Sequence, residues 1–109
     1  MSDHFYPKDG LSAMGKFAEL KPDLLGAFMN FATKAFEEGA LSAKTKELIA
    51  VACAHITGCP YCIDGHVKGA KEAGATGEEI AEAVGVAVAM NAGAAMAHGS
   101  MAMKALEDE

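Results

Sequence analysis

The apolar residues of this chain recur at spacings of three and four, which is the pattern of amphipathic α-helices. One helix is predicted over residues 23–38, where the apolar side chains share a face: Leu24, Leu25, Phe28, Phe31, Ala32, Ala35 and Phe36. Pro22 suits its first turn, and Gly39 ends it. A shorter helix is predicted near residues 11–20, after an N-terminal arm that runs to about Gly10.

Two further helices are predicted in the middle of the chain, on either side of Gly58. The first covers residues 43–57 and has Ser42 as its N-cap. Its expected inward stripe is Leu48, Ile49, Ala52 and Ile56. The second begins at Pro60 and ends at Gly74, because proline favours the first helical position and glycine the position after the last.

The remaining residues predict a helical C-terminal region. Thr76 and Glu79 have the spacing of a capping box, in which each side chain caps the other residue's backbone N–H. The helix that they open is expected to turn inward the residues Ile80, Ala83, Val84 and Ala87. A break around residues 91–93 is expected before a last helix that ends near Leu106. No run is bounded by hairpin turns, so residues 1–109 are predicted to form a single all-α domain of about five to six helices.

The composition indicates a small core made of small side chains. The chain has 109 residues, of which 51% are apolar and only 6% aromatic, with 12 glycines, seven methionines and no tryptophan. Such side chains let helices approach closely but bury little area each, so we expect stabilisation by self-association. The methionines at 90, 96, 101 and 103 are expected to fill the core.

The charge argues against nucleic acid and against polybasic membrane binding. The formal net charge is −6, and the nine basic residues are all lysines, of which Lys44 and Lys46 are expected at the solvated surface. Residues 83–103 carry no charge but contain glycines, an asparagine and a histidine. We expect them to form a pair of buried, closely packed helices rather than a membrane span. The start of the chain shows no signal peptide or lipidation motif, so a cytoplasmic protein is expected.

The segment from Glu47 to His66, ELIAVACAHITGCPYCIDGH, carries the candidate chemistry. With Pro60 at the first helical position, Cys59 is predicted as the N-cap residue and Cys62 as the third residue of the helix. Cys62 and His66 then lie one turn apart on one face. The helix N-terminus favours a thiolate, and an imidazole can accept the thiol proton. The spacing leaves open whether Glu47, on the preceding helix, reaches this site.

Several interpretations of the cysteines stay open at this point. Cys59 and Cys62 are a candidate redox pair, whereas Cys53, Cys59, Cys62 and His66 together are a candidate zinc set. Both thiols could instead be buried packing groups. A thioredoxin-type fold is excluded, because no strand precedes the CxxC motif. The N-cap position favours Cys59 as the nucleophile, and the neighbouring His66 favours Cys62.

Three other residues are candidate auxiliary groups. His55 lies seven residues before Cys62 and is either a member of the site or a hydrogen-bonded core histidine. Tyr61 lies between the cysteines and is expected to donate a hydrogen bond or to stack. His98 is an ionisable residue in the long uncharged stretch, where it suits a proton carrier or a structural contact between subunits.

The pattern of Glu47, eleven intervening residues, CPYC, three more residues and His66 resembles the AhpD-like alkylhydroperoxidases of the carboxymuconolactone decarboxylase superfamily. The continuation GAKEAGATGEEIAEAV, residues 69–84, is also similar, and the likeness covers roughly residues 28–106. The resemblance implies an all-helical domain that reduces hydroperoxides with its cysteine pair. The best-known member has histidine between its cysteines, where this chain has Tyr61.

The resemblance also implies a role for each matched residue. Cys62 would be the peroxidatic thiolate, Cys59 would resolve its sulfenic acid as a disulfide, and Glu47 with His66 would relay protons. An external dithiol, in the best-known member a lipoylated protein, would reduce the disulfide. No organic cofactor or metal is implied, and single-domain relatives commonly form hexamers as trimers of dimers.

Three weaker functional interpretations remain beside the peroxidase. They are a general thiol–disulfide oxidoreductase, a carboxymuconolactone decarboxylase-like enzyme and a non-enzymatic metal-binding or redox-sensing oligomer. The decarboxylase is the less favoured, because that branch of the superfamily lacks the CxxC motif. No glycine-rich phosphate loop or nucleotide motif is present in the sequence.

Overall fold

The structure is a computed structural model that describes residues 10–108, without the side chain of residue 11. Helices make up almost all of these residues. A 3-10 turn, Gly10–Ala13, leads into five α-helices: α1 (Met14–Leu20), α2 (Pro22–Phe36), α3 (Ala43–Thr57), α4 (Pro60–Glu72) and α5 (Gly77–Glu107). The predicted all-α class is therefore confirmed for these residues. The first nine residues of the predicted arm lie outside them.

The local signals in the sequence set the ends of α3, α4 and α5. The Ser42 side chain accepts a hydrogen bond from the backbone N–H of Thr45 at the start of α3. Gly58 ends α3 with φ +70°, a left-handed conformation that glycine adopts without a steric penalty. Thr76 and Glu79 form both hydrogen bonds of the predicted capping box at the start of α5.

Helix α3 is the centre of the fold and packs mainly against α4 and α5. Among the described residues, the buried apolar side chains are Val51, Ala54, Ala70 and Ala87. The predicted inward stripe of α3 is partly wrong, because Ile49 and Ile56 are 47% and 50% exposed. Close approach of the helices turns the smaller side chains inward and leaves the larger ones at the flanks. The predicted inward face of α5 is confirmed, with Ala87 buried and its three companions half-buried.

Helix α5 continues without interruption through residues 91–93, so the predicted break is wrong. A single glycine costs about 1 kcal/mol in a helix relative to alanine, and the surrounding alanines and methionines offset that cost. The predicted pair of buried helices is also wrong, since Met96 is 81% exposed and the other three methionines are exposed as well. By length and apolar character α5 could cross a membrane, although core helices of soluble proteins also satisfy those two criteria.

The single chain is far from a compact sphere. Its radius of gyration is 18.2 Å, whereas a compact domain of this length has about 13 Å. The distal half of α5, residues 92–107, is exposed apart from Gly99 and carries the exposed methionines Met96, Met101 and Met103. Large apolar side chains of α2, such as Phe28 and Phe31, are also exposed. A substantial apolar surface is thus without a partner in the single chain.

An ion pair joins the starts of α3 and α5. The Lys44 ammonium lies 2.9 Å from the Glu79 carboxylate, so Lys44 is not simply solvated as expected. The pKa of Glu79 is lowered, first by the backbone N–H of Thr76 and then by Lys44, because both favour the charged carboxylate.

We predict that Glu79→Gln lowers the free energy of unfolding near neutral pH. The amide can still accept the Thr76 hydrogen bond but loses the attraction to Lys44. Because folding lowers the pKa of Glu79, the deficit should be fully present above the ordinary value of 4.5 and should shrink as the pH falls through the folded-state value. Urea unfolding at neutral and at acid pH measures it, with Glu82→Gln on the same helix as the control. An equal deficit at both pH values would contradict the assignment.

Candidate active site

The two cysteines of the CxxC motif form the start of α4. Cys59 is the N-cap residue, as the sequence predicts, and the backbone N–H of Cys62 donates to its sulfur at 3.2 Å. The two sulfurs lie at disulfide distance, and the Cα atoms are 5.2 Å apart, within the normal range for a disulfide. The free N–H groups and the dipole of the helix start favour negative charge on these sulfurs once the pair is reduced.

Glu47 does reach the site, which the sequence alone left open. His66 Nδ1 donates a hydrogen bond of 2.8 Å to Glu47 Oε2 between α4 and α3. The side chains are 32% and 20% exposed, so the pair is largely shielded from solvent. Since Nδ1 carries its proton toward the carboxylate, neutral His66 has a free lone pair on Nε2. His66 therefore has a fixed orientation and a nitrogen that can accept a proton.

Gly69 makes the approach of Glu47 to α4 sterically feasible. A Cβ atom at this position would lie 2.8 Å from Glu47 Oε2 and 2.9 Å from Glu47 Cδ. Any larger residue would therefore push the carboxylate away from its place beside His66. Sequence reasoning did not single out Gly69, because a glycine inside a helix gives no local sign of what approaches it.

Phe36 and Lys46 complete the surroundings of His66, and sequence reasoning missed the role of both. The Phe36 ring stacks on the imidazole, with centroids 5.1 Å apart and planes 9° apart. Lys46 Nζ donates to the backbone oxygens of Ala35, at 2.9 Å, and Glu37 at the end of α2. Lys46 is thus not simply solvated as expected, because its ammonium holds the helix end that carries Phe36.

Two cavities of similar size open beside Cys62 and His66, which line both of them. The Phe36 cavity, about 450 Å³, is otherwise lined by Ala35, Phe36, Leu41, Lys46, Ile49, Ala50, Cys53, Ala54 and Thr57. The Tyr61 cavity, about 440 Å³, is otherwise lined by Glu47, Cys59, Tyr61 and Gly65. Cys62 is therefore approached from an apolar side and from a side that carries polar groups, and Cys59 lines only the latter.

The other candidate residues lie at different places. His55 Nδ1 bonds to the backbone oxygen of Val51, one turn earlier in α3, and His98 lies exposed on distal α5. Neither residue lines the Phe36 cavity or the Tyr61 cavity. Cys53 is a free, exposed thiol in the wall of the Phe36 cavity. Within residues 10–108 no group of three or more His, Cys, Asp or Glu side chains is placed to hold a metal ion, so the geometry gives the zinc interpretation no support.

Comparison with known proteins places the chain in a family. Residues 22–105 match the carboxymuconolactone decarboxylase family. A Paracoccus denitrificans protein described as "Uncharacterized protein 4 in cox locus" is 46% identical over 108 residues, which are 99% of this chain and 96% of that protein.

Solved structures agree with the sequence match. The apo form of a carboxymuconolactone decarboxylase family protein from Legionella pneumophila is 39% identical, has a TM-score of 0.73, and covers 93% of this chain and 90% of its own. A Methanobacterium thermoautotrophicum protein is 40% identical with a TM-score of 0.74, over 78% of this chain and 96% of that one. The chain thus belongs to the carboxymuconolactone decarboxylase family, a family that includes enzymes, and the resemblance found in the sequence is confirmed.

We predict that Gly69→Ala breaks the hydrogen bond between Glu47 and His66 without unfolding the protein. The new methyl group occupies the place of the carboxylate, whereas helix formation itself gains about 1 kcal/mol. The low-field proton resonance of hydrogen-bonded His66 Nδ1–H should disappear from the NMR spectrum.

Gly65→Ala is the matched control on the same helix, since nothing lies within 4 Å of its added Cβ. This variant should keep the resonance and gain the same helix stabilisation. A Gly69→Ala protein that retained the resonance would show that Gly69 does not control the position of Glu47.

Proposed function

We propose that this protein is a thiol-dependent hydroperoxide reductase that uses Cys59 and Cys62 as its redox pair. The observation that carries the proposal is the environment of Cys62. It lies at a helix start, within bonding reach of a second sulfur and one turn from an imidazole that a carboxylate orients. Such a constellation supplies a nucleophile, a resolving thiol and a proton carrier.

The first step consumes the peroxide. His66 accepts the thiol proton of Cys62, and the thiolate attacks the outer oxygen of the hydroperoxide. The O–O bond breaks, and the alkoxide takes the proton from the imidazolium and leaves as an alcohol. The peroxide is reduced by two electrons, and Cys62 is oxidised to a sulfenic acid. Glu47 stabilises the imidazolium that forms in between.

The second step forms the disulfide, and the third restores the thiols. The sulfur of Cys59 attacks that of Cys62, the S–S bond forms and the S–O bond breaks, and the hydroxide leaves as water with the proton of Cys59. An external dithiol, of the lipoyl type or similar, then exchanges with the disulfide and becomes a disulfide itself. No organic cofactor takes part in these steps.

We predict that the reduced protein consumes one equivalent of cumene hydroperoxide and loses two hydrogens in mass, mapped to a bond between Cys59 and Cys62. Cys53 should stay open to alkylation. The Cys62→Ser variant should leave the peroxide intact, whereas Cys59→Ser should consume one equivalent and accumulate a sulfenic acid that dimedone traps. Mass spectrometry of the non-reduced protein and a peroxide assay measure these outcomes.

The same experiment separates the other functional interpretations. A Cys62→Ser protein that consumed peroxide at the wild-type rate would contradict the role of Cys62. Untouched peroxide together with rapid exchange between the disulfide and external dithiols would indicate a general thiol–disulfide oxidoreductase. Untouched peroxide and unreactive thiols would instead favour a carboxymuconolactone decarboxylase-like enzyme.

We also propose that the protein works as a cytoplasmic homo-oligomer, with the hexamer, a trimer of dimers, as the expected form. The described part of the chain buries only four apolar side chains fully, and distal α5 is apolar, uncharged over many residues and rich in small side chains. A second copy offers a matching surface of the same chemistry, and small residues let helices approach closely.

We predict a particle of about 67 kDa in light scattering, six times the 11.2 kDa of one chain. Met96→Glu should shift the protein to smaller species, because it places a charge in the apolar surface of α5. Lys71→Gln changes the net charge by the same amount at an exposed site on α4 and should leave the mass unchanged. A monomer, or a protein that sediments with membranes instead, would contradict the proposal.

A further inference from the structure

The two cavities beside Cys62 differ in their chemistry. Apart from Cys62 and His66, the walls of the Phe36 cavity are almost wholly apolar, with Phe36, Leu41 and Ile49 as the large side chains. Its one charged residue, Lys46, donates to two backbone oxygens at the end of α2. The ammonium therefore has acceptors already and offers little to a charged ligand. A volume of about 450 Å³ suits the apolar part of a small organic molecule.

The Tyr61 cavity is also largely apolar, but a larger share of its surface is polar. Glu47 and Tyr61 contribute polar groups. Gly65 has no side chain to fill the space, and nothing lies within 4 Å of where its Cβ would be. Cys59 lines this cavity and not the other. A thiol that attacks the Cys59 sulfur of the disulfide must therefore approach from this side.

Resting on the function proposed above, we propose that the two half-reactions use different cavities. The Phe36 cavity binds the apolar body of an organic hydroperoxide and presents its O–O bond to Cys62. The Tyr61 cavity receives the reducing dithiol. His66 accepts the proton of one donor thiol, the resulting thiolate attacks the Cys59 sulfur, the S–S bond breaks, and Cys62 leaves as a thiolate that takes this proton back from His66. The second sulfur of the donor then attacks the first, the mixed disulfide breaks, and Cys59 leaves with the proton of that second thiol, so that the donor ends as a disulfide and both cysteines are reduced.

The geometry gives a reason for this division. Oxidation by an organic hydroperoxide requires its O–O bond to reach the Cys62 sulfur, and the Phe36 cavity contains Cys62 but not Cys59. Reduction requires that the donor thiol reaches the Cys59 sulfur, from which Cys62 departs. It also requires a proton donor for the departing Cys62 thiolate. The Tyr61 cavity contains Cys59, Cys62 and His66, so all three groups are reached from one side.

The test measures the two half-reactions separately by stopped flow. Reduced protein is mixed with cumene hydroperoxide or hydrogen peroxide, and oxidised protein with dihydrolipoamide. Ile49→Ala shortens the apolar wall, and Ala50→Phe fills the Phe36 cavity. We expect each to slow oxidation by cumene hydroperoxide by about threefold to tenfold, because apolar contact with the ligand is lost or blocked. The reactions with hydrogen peroxide and with dihydrolipoamide should be slowed much less.

Two further variants make the result specific. Ile56→Ala is the matched control for Ile49→Ala, since both isoleucines lie on α3 and are half exposed but Ile56 lines neither cavity. It should leave all three rates unchanged. Gly65→Leu places a large side chain in the Tyr61 cavity and should have the reverse effect. Reduction by dihydrolipoamide should be slower, and oxidation by cumene hydroperoxide should change little.

Each outcome decides the proposal. Variants that slow both half-reactions equally, or that slow hydrogen peroxide as much as cumene hydroperoxide, would overturn the division between the cavities. An Ile49→Ala protein that changes its mass in light scattering but not its rates would show that the Phe36 cavity is an interface between copies. Wild-type protein that reacts with dihydrolipoamide but with neither peroxide would instead refute the underlying function, so the two failures are distinguishable.

Discussion

The close packing of α3 against α4 is the constraint on which the site depends. Both helices meet through small side chains, with Val51 the largest of those fully buried. At this separation the carboxylate of Glu47 lies within hydrogen-bond distance of His66, in the space that Gly69 leaves open. A bulkier interface would separate the carboxylate from the imidazole. The same short connection between the helices places the two cysteines at the start of α4.

Several independent contacts determine the chemistry of His66. Glu47 binds one of its nitrogens, the Phe36 ring covers one of its faces, and the start of α4 supplies a positive potential near the sulfurs. Lys46 contributes indirectly, since it holds the end of the helix that carries Phe36. The site is therefore assembled from three helices, and a shift of any one of them should change the surroundings of Cys62.

The small side chains that permit this packing also limit the stability of a single chain. A core of alanines and one valine buries little apolar area, and large apolar residues of α2 and α5 lie at the surface. The same composition thus accounts both for the tight site and for the exposed apolar surface that we assign to self-association. In this interpretation, the tight inner packing sets the position of Glu47 but contributes little stability, and assembly supplies the remaining stabilisation.

The sequence by itself determined the all-α class, most helix ends and the CxxC pair, because caps, prolines and glycines act over three or four residues. It also identified Glu47 and His66, through spacing and family resemblance. It did not reveal the roles of Gly69, Phe36 and Lys46 in the site. It also predicted a break in α5 that does not exist, and it wrongly assigned two isoleucines of α3 to the core. Those features depend on how closely helices distant in sequence approach one another. Helical periodicity reports a residue's face but not the neighbour that the face meets, so only the tertiary structure decided them.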